Sequence, residues 1–384
     1  MKITVLGAGA IGSAVAYDLC RRDEVSRVQV CEARPGTLRA FRHAWTHPKL
    51  RTYLADARDT QTLEPILAGS ACIVSCVAPE LNGVLARLAV EMGAHFVDLG
   101  SPDAIREEEE SLAALAERRQ RWVVTGCGLA PGLAGVLVLR GIKALDQAYA
   151  AHVRVGDVPT DSLEPFNYRL AHAAEKLIED YTHPVPVLRN GKVEVRAPMT
   201  GIETVDVEGF GEMEAFYAGN GLSAITRALE GRLDRLDAKT LRYPGHASQM
   251  RFLLDLGLAD TTSIDVRTHL TYRDILIRRM RKRLGGAYRD AVVVRVEVEG
   301  RKDGEDGCLV YELVDHFDDE SGLSAMQRCT GFPAAAAAVL LGGRHVPGGG
   351  VGSAEEVLPF GPFFERMDAN GLAVQERWEV AESA

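Results

Sequence analysis

The sequence predicts an α/β protein: a doubly wound parallel sheet, followed by a second α/β domain with a mixed sheet. Three observations predict it. Short apolar runs alternate with helical stretches through the first third of the chain. A glycine-rich run, GAGAIG at 7–12, separates the first apolar run from the first helical stretch. After Pro131-Gly132 the pattern changes to strand-like runs that alternate more and carry turn signals.

Taken in order, residues 2–6 (KITVL) read as a buried strand and 13–22 as a helix. Further strands are expected at 27–31 (RVQVC), 51–55, 71–76 (ACIVSC), 94–98 (AHFVD) and 121–125 (RWVVT), with helices clearest at 82–92 and 104–120. Six strands separated by helices imply a parallel sheet covered on both faces, because parallel neighbours need crossover connections. Beyond Pro131-Gly132 an apolar helix is expected at 133–145, then strand-like runs at 148–155, 185–195, 202–208, 292–298 and 308–315. Arg189-Asn190-Gly191-Lys192 is a turn signal among them. This reads as a mixed or antiparallel sheet with helices on one side, a separate substrate domain. An Ala-rich helix follows at Pro333–Leu341, and GPFFERMDANGL at 361–372 suggests a last helix. The chain therefore divides at 1–128, 129–329 and 330–384.

Composition narrows the function classes. The 384 residues are 46% apolar and carry a formal net charge of −10. A nucleic-acid partner is not expected, since such affinity comes from clustered Lys and Arg. The one basic run, Arg278-Arg279-Met280-Arg281-Lys282-Arg283, reads as a helix end whose cations suit the C-terminal dipole. Glu107-Glu108-Glu109-Glu110 reads as a solvated helix start. The seven cysteines are odd in number and lack CxxC spacing, which points to reduced, mostly buried thiols. No metal-ligand spacing of His, Asp, Glu or Cys is present, so no metal is expected. No apolar run is long enough to span a bilayer. Met1-Lys2 leads straight into a strand, so no secretory leader and a cytoplasmic location are expected.

The first chemistry lies in GAGAIG. Gly7 would make the tight turn, Gly9 would leave room for a pyrophosphate, and Gly12 would let the helix pack closely. Ala10 and Ile11 open the helix, whose free N–H groups and dipole favour an anion. Glu32 ends the second strand, 20 residues beyond Gly12, where a carboxylate can accept both adenosine ribose hydroxyls. These features together make a Rossmann-type dinucleotide site. A 2′-phosphate would meet the like charge of Glu32, which favours NAD; Arg34 leaves NADP open. Asp56 falls where adenine is lined, and Cys76-Val77-Ala78 follows the fourth strand, at the switch point of the sheet.

The chain also resembles the saccharopine dehydrogenase family, closest to its lysine 6-dehydrogenase-like branch. The resemblance runs over nearly the whole length. It is carried by GAGAIG at 7–12, FVDLGSP at 96–102, GCGLAPGL at 126–133, KTLRYPGH at 239–246 and TGFPAAAAAVL at 330–340, with TLRYPGH the most specific. The resemblance implies a Rossmann domain, an α/β substrate domain, and last helices that return to the first domain. It implies a homodimer or larger homo-oligomer, and oxidation or reductive formation of a C–N bond on an amino acid with a nicotinamide cofactor. In the lysine branch the side-chain amine is removed. Three places depart from the family pattern: Gly156-Asp157-Val158-Pro159 stands for a Gly-Gly-Leu-Pro-like run; Tyr217-Ala218-Gly219-Asn220-Gly221-Leu222-Ser223 lacks the usual Thr-Gly-Gly; and Val77 is apolar where relatives place a Pro-Tyr pair nearby.

Oxidative deamination needs an oriented amine, a hydride acceptor, proton transfer and exclusion of water. Arg242, in TLRYPGH, is the candidate grip on a substrate carboxylate. Tyr243 and His246 share that segment, and His246 is a candidate proton shuttle. Asp98 closes the fifth strand and is a candidate acceptor of the amine proton. Cys127 is expected to line the same crevice without acting as a nucleophile, and Asn220 and Tyr217 are further substrate-binding candidates. Three readings stand beside a lysine-like amino acid as substrate. One is saccharopine or another opine-type secondary amine. A second is a polyamine-pathway enzyme that couples an amine to an aldehyde acid. The third is a protein that binds NAD without turnover.

Overall fold

A computed structural model describes residues 1–100, 103–161, 163–170, 173–219, 222–265, 267, 269–286 and 288–381. The described chain divides into two compact units, Met1–Arg140 with Gln327–Val374, and Gly141–Met326 with Gln375 onward.

The first unit begins β1 (Lys2–Leu6), α1 (Ala10–Arg21), β2 (Arg27–Glu32), α2 (Pro35–Ala44), β3 (Leu50–Leu54), α3 (Thr60–Leu67) and β4 (Cys72–Ser75). A short 3-10 turn (Pro79–Leu81) leads to α4 (Asn82–Glu91), β5 (His95–Asp98), α5 (Asp103–Glu110), α6 (Ala113–Arg119), β6 (Trp122–Thr125) and α7 (Leu133–Ala144). β4 and β5 are buried along their whole length, as expected of strands covered on both faces. The stretch expected as one helix over 104–120 is two. The Ser111 hydroxyl donates to the Glu108 carbonyl at 2.6 Å, a local bond that competes with the helix ladder where α5 ends.

The second unit holds β7 (Gln147–Pro159), α8 (Ala174–Thr182), β8 (Val185–Arg189), β9 (Lys192–Arg196), β10 (Glu203–Val207), β11 (Gly211–Phe216), α9 (Ser223–Ala228), β12 (Arg235–Arg242), α10 (His246–Asp255), α11 (Tyr272–Leu284), β13 (Asp290–Lys302) and β14 (Glu305–His316). The run at 185–195 is a hairpin. Asn190 and Gly191 take positive φ of 50° and 73°, the geometry of the tight turn their sequence signals. β7 is the hinge of the sheet's mixed character: it pairs in parallel with β12 and antiparallel with β13. Arg281, Lys282 and Arg283 occupy the last turn of α11, whose start is closed by a Thr271–Asp274 capping box.

The chain ends with α12 (Ala325–Gly342), β15 (Gly350–Ser353), α13 (Ala354–Val357), α14 (Phe360–Asp368) and β16 (Gln375–Val380). β15 adds in parallel to β6, so the first sheet runs β15-β6-β5-β4-β1-β2-β3. β16 pairs with β14 at one end of the second sheet, ordered β10-β11-β12-β7-β13-β14-β16, with β8 and β9 joined through β12. α12 begins eight residues before Pro333 and carries that proline inside it. Its contact with α1 explains the Gly-Ala sequence: a Cβ on Gly331 would lie 2.9 Å from the Ala14 methyl, and Ala334 to Ala338 are wholly buried. Among the described residues no helix is long and apolar enough to cross a membrane.

Candidate functional site

In the first unit the β1–α1 turn is built by close backbone approach. Gly7 has φ +98°, and a Cβ there would lie 2.6 Å from the Cys76 carbonyl oxygen. A Cβ on Gly12 would lie 2.0 Å from the Gly7 carbonyl oxygen. Gly12 thus packs against the turn itself. Gly9 differs: it has extended backbone, and a Cβ there meets nothing within 4 Å. The chain's own packing therefore does not demand glycine at 9, and the free space lies at the N-terminus of α1. That terminus has no side-chain cap and no acid in its first turn, so its N–H groups suit a pyrophosphate.

Glu32 stands beside this turn. Its carboxylate accepts the amides of Ala8 at 3.0 Å and Arg34 at 2.9 Å, and the Arg34 guanidinium at 3.2 Å. Burial works against its ionisation, yet these donors outweigh it and hold the carboxyl below its ordinary range. Arg34 is 73% exposed and leans on Glu32. Ala10 is exposed, Ile11 half-buried; Cys76 and Val77 are half-buried and Ala78 exposed at the end of β4. Asp56 is taken up by Arg58 at 2.8 Å. The glycine turn, the free helix end and the Glu32 carboxylate are a donor and acceptor set that fits a dinucleotide.

At the ends of β5 and β6, Asp98 is a brace. It is 0% exposed, and its Oδ1 accepts the amides of Gly100 at 2.5 Å and Gly126 at 2.9 Å, while its carbonyl accepts that of Cys127 at 2.7 Å. Burial raises the proton affinity of its carboxyl, with the neighbouring Glu109 carboxyl and the Gly126 and Gly100 amides acting against the rise. Two glycine-bearing turns, in FVDLGSP and GCGLAPGL, are thus stitched to one side chain. The expected acceptor of the amine proton has no accessible surface. The Glu107–Glu110 run is corrected too: Glu109 is wholly buried, because α5 turns one face of its acidic run inward. Cys127 is buried with its thiol turned to the Val124 carbonyl at 3.8 Å, and burial and Asp98 push the thiol well up. It presents no wall to a substrate.

In the second unit Arg242 ends β12 and is 6% exposed. Its Nε donates to the Tyr181 hydroxyl at 3.2 Å, and its Nη1 to the carbonyls of Leu241 at 2.8 Å and Asp157 at 3.3 Å. The guanidinium lies 4.9 Å from the Tyr168 ring centroid. Among the described residues no carboxylate forms an ion pair with it, and Nη2 makes no hydrogen bond. Two neighbours are also incomplete. Tyr168 Oη and Asp157 Oδ1 are buried without hydrogen-bond partners; Asp157 Oδ2 accepts from Tyr288 at 3.1 Å. Burial pushes the Asp157 carboxyl up to about 7, Arg242 opposing and Asp290 adding to the rise.

His246 joins this cluster as a neutral ring. It is 1% exposed, its Nε2 lies 3.0 Å from the Tyr181 hydroxyl, and Phe166, Tyr168, Tyr181 and Phe216 surround it. Burial and then Arg242 lower it to about 3, so it holds no charge to shuttle near neutrality.

Two other expected substrate residues point elsewhere. The Tyr243 hydroxyl donates to the Pro159 carbonyl at 2.9 Å, and its ring packs on the Val158–Leu241 core. It follows Arg242 at the strand end, where successive side chains take opposite faces. Tyr217 packs with Val185 and Val187 beneath the Lys239 ammonium, at 5.1 Å; its neighbour Phe216 faces His246 instead. Asn220 lies outside the described residues. Sequence reasoning missed Tyr168 and Tyr181. Tyr181 continues the buried face of α8, after Ala174, Leu177 and Ile178, which signals core packing but no partner. Among the described residues no three His, Cys, Asp or Glu side chains group to hold a metal ion.

Residues 3–124 match the model of the saccharopine dehydrogenase NADP binding domain, and residues 128–372 that of the saccharopine dehydrogenase C-terminal domain. The fold is similar to that of an apo saccharopine dehydrogenase (L-Glu forming) from Saccharomyces cerevisiae. The two are 17% identical, the match covers 98% of this chain and 99% of that one, and the TM-score is 0.81. It is also similar to a homospermidine synthase from Legionella pneumophila in complex with NAD, at 13% identity, 100% and 92% coverage and a TM-score of 0.66.

Proposed function

The chain belongs to the saccharopine dehydrogenase family, and on that footing we propose that it is a nicotinamide-dependent oxidoreductase of a carbon–nitrogen bond on an amino acid. A lysine-like amino acid losing its side-chain amine is the substrate this reading puts first, with NAD ahead of NADP.

The observation that carries the substrate class is the incomplete polar balance around Arg242. A buried guanidinium without a carboxylate partner is costly to hold. Tyr168 Oη and Asp157 Oδ1 beside it add two buried polar atoms without partners. A ligand α-carboxylate would give Arg242 the close ion pair it lacks and Tyr168 an acceptor, and a ligand ammonium would suit Asp157. Among the described residues of this cluster Arg242 is the one cation, and one cation matches one carboxylate. That supports a lysine-like substrate over an opine-type conjugate, which carries at least two.

Glu32, Gly9 and the N-terminus of α1 would hold the dinucleotide. When bound, nicotinamide supplies the hydride acceptor or donor. Asp98 acts in this reading by bracing the turns after β5 and β6, and His246 by its place in the Arg242 cluster.

The test is a screen for NADH and NADPH formation. Lysine should be turned over and cadaverine, which lacks the carboxylate, should not. Arg242→Ala should raise KM for lysine roughly 100-fold, the loss of about two charge-assisted hydrogen bonds, without loss of the folded state. Equal use of cadaverine, or an unchanged KM in Arg242→Ala, would overturn the proposal.

A further inference from the structure

We infer that Tyr181 and His246 are positioning residues for Arg242: a directed chain of hydrogen bonds fixes its guanidinium and leaves Nη2 for a ligand carboxylate. The inference rests on Arg242 being the carboxylate anchor.

The direction of the chain follows from which groups can donate. Arginine has no acceptor, so at 3.2 Å the Arg242 Nε–H donates and the Tyr181 oxygen accepts. The Phe166 carbonyl only accepts, so His246 Nδ1, 3.4 Å from it, carries the imidazole proton. In the neutral ring Nε2 is then bare, and it accepts the single Tyr181 proton at 3.0 Å. With the ring neutral, one arrangement satisfies all three contacts.

The surroundings hold this arrangement still. Four rings pack on the imidazole: Tyr168 with its centroid at 5.2 Å, Tyr181 at 5.7 Å, Phe166 at 6.2 Å and Phe216 at 6.3 Å. His246 itself is set by Glu214, whose carboxylate accepts the amides of Gly245 at 3.0 Å and Ala247 at 2.5 Å where α10 begins. Glu214 is the register partner of Arg242 across β11 and β12, so the strand pair that carries the arginine also places the histidine. With Nε and Nη1 engaged and Tyr168 against the guanidinium, ligand binding need not immobilise a free side chain.

Two measurements on the full chain test this. The first is the ¹⁵N spectrum of the histidine rings, with His246→Gln for assignment. Between pH 5 and 9, His246 should show a protonated Nδ1 and a bare Nε2; the opposite tautomer or a charged ring in that range overturns the inference. The second is amino-acid kinetics. Tyr181→Phe keeps the ring and should raise KM about tenfold, as expected for one hydrogen bond to a charged group, with kcat within about twofold. His246→Leu should match it, and His246→Gln, which keeps an acceptor, should lie closer to the parent. If Arg242→Ala raises KM while Tyr181→Phe does not, the positioning role is wrong and the anchor stands. If Arg242→Ala leaves KM unchanged, the anchor and the positioning role fall together.

Discussion

The Glu32 carboxylate accepts the Ala8 amide at 3.0 Å, tying the end of β2 to the glycine turn that follows β1. One side chain thus shapes the turn and stands where a ribose would be met. Glu32→Ala should weaken NADH binding about 10- to 100-fold through lost charge-assisted bonds. It should weaken NADPH less, because the like charge facing a 2′-phosphate goes and Arg34 stays. Fluorescence titration with both reduced cofactors reads this out; an unchanged NADH affinity would remove Glu32 from the site.

Gly9 and Gly12 should separate binding from folding. A Cβ at Gly9 meets nothing within 4 Å, so Gly9→Ala should leave Tm within about a degree and yet weaken NADH. At Gly12 the same methyl would sit 2.0 Å from the Gly7 carbonyl, so Gly12→Ala should cost about 1–3 kcal/mol of stability, as overpacking does. Thermal melts with and without NADH decide it. A Gly9→Ala variant that melts early but binds normally would mean the free space at 9 serves packing.

Glu355 should make the protein less stable at alkaline than at acid pH. Burial pushes its carboxyl up to about 7 from 4.5. Between those values the folded state holds more protons than the unfolded one, so stability falls as pH rises through the window. The ceiling of this effect is on the order of 3 kcal/mol. Glu355→Gln should raise Tm at pH 8 and change it little at pH 4. An equal shift at both would mean that charge burial is not the cause.

The first sheet was legible because its strands are apolar, short and separated by helices, and because GAGAIG and Glu32 have the spacing their chemistry needs. β15 and β16 were not. Gly350–Ser353 has almost no strand propensity and becomes a strand because β6 offers a parallel partner, a tertiary choice that no local pattern records. The Arg242 cluster was half legible. TLRYPGH marked Arg242 and His246, but which tyrosine they meet depends on α8, some 60 residues away in sequence. Tyr217 and Phe216 are adjacent, and with a period of two only Phe216 packs against His246 while Tyr217 packs on Val185 and Val187.

His246 should give the opposite acid behaviour to Glu355. Its ring is held at about 3 in the folded protein, against an ordinary 6.5, first by burial and then by Arg242. Between these values the unfolded chain binds the extra proton, so stability is lost as pH falls from 6.5 toward 3. The ceiling is on the order of 4–5 kcal/mol. His95 is lowered to about 4, also by burial first, and adds to the same slope. The difference between the parent and His246→Gln isolates the one ring. Urea unfolding at pH 7 and pH 4.5 should show the variant less stable at pH 7, where it loses aromatic packing, and the gap closing toward pH 4.5. If the gap is the same at both pH values, the ring titrates normally, and the bare Nε2 that accepts from Tyr181 is wrong.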